Sequence, residues 1–75
     1  ILIKIINKLL EMVNIADVKF SQYYAELLCI IIHNTRNRHI MRRYIGAISA
    51  LRPRYEGRIR ILILNLTEET EKYLA

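Results

Sequence analysis

One cysteine, Cys29, stands in 75 residues. A disulfide within the chain is therefore excluded, and so small a fold must be held by packing or by a partner. A lone thiol also fits a reducing, intracellular setting. Cys29 and His33 are four positions apart and His39 follows, but structural zinc sites show two clear ligand pairs. Cys29 reads as a buried core residue, and no metal or other cofactor is expected. The two glycines form no phosphate-cradling loop. No carboxylate pair sits in an apolar setting and no nucleophile–base pair stands out. No catalytic residue is assigned, no small-molecule substrate is inferred, and an enzyme is not expected. No apolar run is long enough to cross a bilayer: Leu27 to Ile32 is short, and Lys4 and Lys8 interrupt the N-terminal run. Neither a signal peptide nor a repeat nor a linker is read. The start at Ile1 rather than Met points to part of a longer chain. The expected location is cytoplasmic and nucleoid-associated.

Lysine is absent from the window Asn34 to Arg60, NTRNRHIMRRYIGAISALRPRYEGRIR, which holds every arginine of the chain: Arg36, Arg38, Arg42, Arg43, Arg52, Arg54, Arg58 and Arg60. With Glu56 as its one acid the window carries +7, whereas the remaining four lysines and six acids sum to −2, giving the net +5. Charge segregated in this way predicts one basic face on a near-neutral body, and the usual partner of such a face is a polyanion. A merely solvated arginine surface is the plainer reading.

The hydrophobic fraction, 53%, is high for a small domain. Apolar residues at 2, 5, 6, 9, 10 and 13 recur with a 3.6-residue period, predicting a helix over about 2–14. Ile3, Leu10 and Met12 on its broad apolar face are the candidate interface of a homodimer. A short strand is expected around Val18 to Phe20, then Ser21 as an N-cap and a second, nearly all-apolar helix over about 22–33, the most buried element. The third helix is expected over about 36–51, with Ile40, Met41, Tyr44, Ile45, Ile48 and Leu51 on its inner stripe. Its cations sit at the N-terminal end, where its own dipole disfavours them. Pro53 ends it. Glu56-Gly57 reads as the turn of a hairpin over about 52–66, with Arg58 and Arg60 on one strand face and Ile59, Ile61 and Ile63 on the other. Thr67-Glu68-Glu69-Thr70 reads as a capping box opening a short helix over about 68–74.

This order resembles a winged helix-turn-helix domain. The third helix occupies the recognition-helix position, RPRYEGRIR the wing, and LNLTEETEKYL is similar to the stretch after the wing in MarR-like and PadR-like regulators. The resemblance implies a single α+β, mostly α domain over 1–75: a three-helix winged helix-turn-helix with a C-terminal β-hairpin wing and a short final helix. It also implies sequence-specific binding of double-stranded DNA by a small homodimeric transcriptional regulator. Arg36, Asn37, Arg38, His39, Arg42 and Arg43 would supply groove donors, since arginine pairs bidentately with guanine or phosphate. Arg54, Arg58 and Arg60 would contact the backbone from the wing. Of the five tyrosines, Tyr55 alone is a candidate for stacking on a base. His39-x-x-Arg42 is similar to the His-x-x-Arg of tyrosine recombinases, but 75 residues cannot hold that catalytic domain.

The alternative is a non-catalytic protein–protein or RNA-binding subunit of a larger assembly. DNA binding predicts a continuous arginine face with the third helix protruding. The alternative predicts arginines paired with acids of the same chain, or that helix covered by a partner.

Overall fold

The computed structural model describes Ile1–Ala75. Four α-helices follow one another: α1 (Leu2–Ile15), α2 (Val18–Thr35), α3 (Arg38–Leu51) and α4 (Arg58–Leu74), with a 3₁₀ turn, Arg52–Arg54, between the last two. There is no strand, so the α+β winged-helix expectation is corrected to an all-helical fold without a wing.

The segment read as a hairpin and a separate short helix is one helix, α4. Ile59, Ile63, Leu66 and Thr70 fall on one helical stripe and are all buried. The arm expected over Arg52–Tyr55 is a 3₁₀ turn, Arg52–Arg54, with Pro53 near its start and only Tyr55 extended, too short and too curved to pair with a strand. Gly57, at φ +74°, takes the position before the first helical residue rather than a hairpin turn. Thr67 caps nothing: its hydroxyl bonds back to the Ile63 carbonyl at 2.9 Å and meets Ser49 Oγ at 3.2 Å. The expected strand Val18–Phe20 is likewise the first turn of α2.

Ser21, expected as a cap, is buried inside α2, where its hydroxyl donates to the Val13 carbonyl at 2.9 Å. This contact ties α1 to α2. Arg58–Glu26 and His33–Glu69 tie α2 to α4, Ser49–Thr67 ties α4 to α3, and the Tyr44 hydroxyl donates to Asn7 Oδ1 of α1 at 2.7 Å. α2 is thus the central helix: it packs on α1, on α4 and, more lightly, on α3, while α3 packs on α4 and reaches α1 through Tyr44. α3 and α4 run antiparallel, with Arg38 beside Leu74 at one end and Arg52 beside Arg60 at the other.

One core cluster fills the space between the helices, with Ile6, Leu28, Ile32, Ile48 and Ile63 wholly inaccessible. It draws on every helix, so no hairpin buries its apolar face alone. Only 17 residues are buried, and large apolar side chains on α1, α2 and α4 remain exposed. α2 is therefore not buried all round: Ser21, Ala25, Leu28, Cys29 and Ile32 face the core, while Phe20, Tyr23, Leu27 and Ile30 face away. No helix is long and apolar enough to cross a membrane.

Candidate nucleic-acid interface

All eight arginines are exposed. The fold distributes them over the two ends of α3 rather than along one unbroken face. At the α2–α3 turn lie Arg36 and Arg38, followed on the first turns of α3 by His39, Arg42 and Arg43. At the α3–α4 connection lie Arg52, Arg54, Arg58 and Arg60. Between the groups the outer side of α3 carries only Gly46, Ala47 and Ala50, all exposed. Helical rise puts Arg38 and Arg52 about 21 Å apart along the axis.

The turn that presents the first group is set by two residues. Arg36 closes α2 in the left-handed conformation, φ +52°, which costs a side chain other than glycine about 1 kcal/mol. Asn37 then caps α3: its Oδ1 accepts from the His39 and Ile40 amides at 3.0 and 3.1 Å. That Oδ1 is engaged at the helix start, so Asn37 positions the cationic turn and keeps only its Nδ2 amide as an outward donor. The hydroxyl of Tyr73 donates to the Arg36 carbonyl at 2.8 Å and braces the same turn against α4.

The antiparallel pairing of α3 with α4 explains part of the charge placement. Cations at the N-terminus of α3 stand beside the C-terminus of α4, whose free carbonyls attract them. Arg38 Nη2 donates to the Leu74 carbonyl at 3.4 Å, a long contact. Partner helix ends thus offset a cost that α3 alone would carry. Arg42 and Arg43, farther from that terminus, are not accounted for in this way. Arg43 lies over the Tyr44 ring, 5.6 Å from its centroid.

Within the second group, Arg54 Nη1 donates to Asn14 Oδ1 at 2.8 Å and its guanidinium lies 5.9 Å from the centre of the Tyr55 ring. Arg52 and Arg60 flank a shallow depression with Ile61 and Leu64. Arg58 turns to α2 and pairs with Glu26. It is the single arginine of the eight with an acid partner. Tyr55 is buried, which removes it as a stacking platform.

His39 is exposed on the outer row of α3. His33 pairs with Glu69 across α2 and α4, with Nδ1 3.1 Å from the carboxylate. Cys29 is buried, and its thiol is pushed up to about 11 by desolvation and, secondarily, by the nearby Glu26 carboxylate, so it is a neutral thiol at physiological pH. No group of three histidine, cysteine or carboxylate side chains comes together as a metal site. Of the expected dimer residues on α1, Ile3 is exposed, whereas Leu10 packs partly buried on the core and Met12 is half-buried.

The class that fold and charge define is a small, four-helix domain with an arginine-rich helix and turn. Comparison with protein families, curated proteins and solved structures finds no match.

Proposed function

We propose that this chain binds double-stranded DNA without chemistry, through the outer side of α3 and the connection into α4. One observation carries the reading: eight arginines are exposed and seven of them have no acid of the same chain within ion-pair distance. A solvated, stability-driven arginine surface would pair its cations with the chain's own acids, and three of those acids lie in α4's Glu68, Glu69 and Glu71 without meeting an arginine. Unpaired guanidinium groups instead keep five donors each for phosphate oxygens or guanine edges.

The roles divide by position. His39, Arg42 and Arg43, on the exposed row of α3, are the contacts to base edges, and sequence preference rests on them. Arg36, Arg38, Arg52, Arg54 and Arg60 contact phosphates on either side. The small residues Gly46, Ala47 and Ala50 let the duplex lie close between the two cationic ends. The role is that of a small regulator acting on the nucleoid.

Fluorescence-anisotropy titration with a random duplex of about 25 base pairs, repeated from 50 to 200 mM salt, tests this. Five or six phosphate contacts predict that log K falls against log salt with a slope of about −5, a loss of roughly 10³-fold across that range. Absence of binding at the lowest salt, or a slope near zero, would remove the reading and leave the arginines to an acidic protein.

A further inference from the structure

Phe20, Tyr23, Leu27 and Ile30 form a single outward stripe on α2, at 54%, 61%, 45% and 47% exposure. Their 3-4-3 spacing is that of a helix–helix seam, in which apolar residues repeat every 3.5 positions. The stripe contains no charge, and the core-facing residues of α2 lie on the opposite side of the helix. α2 thus carries two apolar faces and covers only one of them.

We propose that the outward stripe of α2 pairs with α2 of a second copy of this chain, antiparallel and about a twofold axis level with Ala25. This register seats Phe20 on the partner's Ile30 and Tyr23 on the partner's Leu27. The twofold repeats both contacts, so all four residues of each copy are covered at once. A patch that satisfies itself in this way is what an isologous pair requires. Charge agrees. The stripe itself is uncharged, and the same register levels Lys19 with the partner's Ile31 rather than with a second lysine, so no like charges meet. Area agrees as well. The four side chains offer on the order of 400 Å² of apolar surface per copy. The flanks of α2 and the partly exposed Leu62 bring each side toward the roughly 800 Å² of a standard stable pair.

The surface differs from the α1 interface expected of Ile3, Leu10 and Met12, and it has a consequence for the ends of the dimer. The stripe contains no residue of α3, so pairing through it engages none of the α3 arginines.

Sedimentation velocity without nucleic acid decides the matter independently of the DNA reading. The wild-type chain is expected at twice its 8.9 kDa mass. Leu27→Glu and Ile30→Glu, both at exposed positions, should each weaken dimerisation at least tenfold while circular dichroism shows unchanged helix content. Ile3→Glu and Met12→Glu on α1 should shift it less than about twofold. A wild-type monomer up to about 200 µM would overturn the proposal, as would stripe variants that remain dimeric. A monomer that floats with anionic lipid vesicles would assign the stripe to a lipid surface and overturn it too.

Discussion

The Tyr55 hydroxyl lies 2.5 Å from Ser21 Oγ. Because the Ser21 proton is directed at the Val13 carbonyl, the tyrosine is the donor, and the relay pins the end of α1, the start of α2 and the connection into α4 at one buried point. Position 55, which reads on sequence as the edge of a wing, is thus what holds the basic connection to the body. Tyr55→Phe keeps the ring and removes the donor. It should lower stability by about 1 kcal/mol in urea unfolding followed at 222 nm, and leave Arg54 and Arg58 in place. Tyr55→Ala also leaves a cavity and should cost about 3–5 kcal/mol.

Cys29 makes stability fall at alkaline pH. Its folded pKa, about 11, stands above the ordinary 9.0. Both states are protonated below pH 9, so its full contribution is present there. Between about pH 9 and 11 the unfolded chain loses the proton first, and stability falls by an amount on the order of 2–3 kcal/mol. Comparison of the alkaline unfolding curves of wild type and Cys29→Ala isolates this loss, which should be absent from the variant. At pH 7.5 the native thiol should react with a maleimide far more slowly than the unfolded one.

If α2 pairs two copies, each dimer presents two separate arginine rows. It should then hold two duplexes at once. A bead-bound duplex should retain a second, labelled duplex in the presence of wild-type chain at low salt. With Leu27→Glu the second duplex should be lost, while anisotropy still reports binding of single duplexes with a similar salt slope, because that substitution leaves every arginine untouched.

Much of this was legible in the residues. The 3.6-residue period of α1 and α3 locates both helices to within two positions, and of the expected inner stripe Ile40, Met41, Tyr44, Ile48 and Leu51 are buried while Ile45 is half-buried. The concentration of arginine at α3 and its C-terminal connection follows directly from composition along the chain. α4 was not legible, for a physical reason. Arg58 to Ile61 alternates with period two, and Gly57 suits either a hairpin turn or a helix start. The helical stripe Ile59, Ile63, Leu66, Thr70 emerges only when the window crosses Thr67, a residue that locally favours a cap. The outward stripe of α2 was hidden for another reason. A helix apolar on all sides does not say which sides the rest of the chain covers. The burial of Tyr55 depended on Ser21, a partner 34 positions away.

The most direct measurement compares two variants of equal charge. Replacing Arg38, Arg42 and Arg43 by Ala lowers the net charge of +5 by three, and so does replacing Lys4, Lys8 and Lys72 by Ala. Both change the long-range field alike, but only the first removes the α3 row. With duplex DNA at about 50 mM salt, the arginine variant should bind at least 10²-fold more weakly than wild type, with a salt slope shallower by about one for the lost Arg38–phosphate contact, whereas the lysine variant should stay within roughly fivefold and keep its slope. Equal losses in the two variants would mean that the chain responds only to total charge, and would contradict an interface on α3.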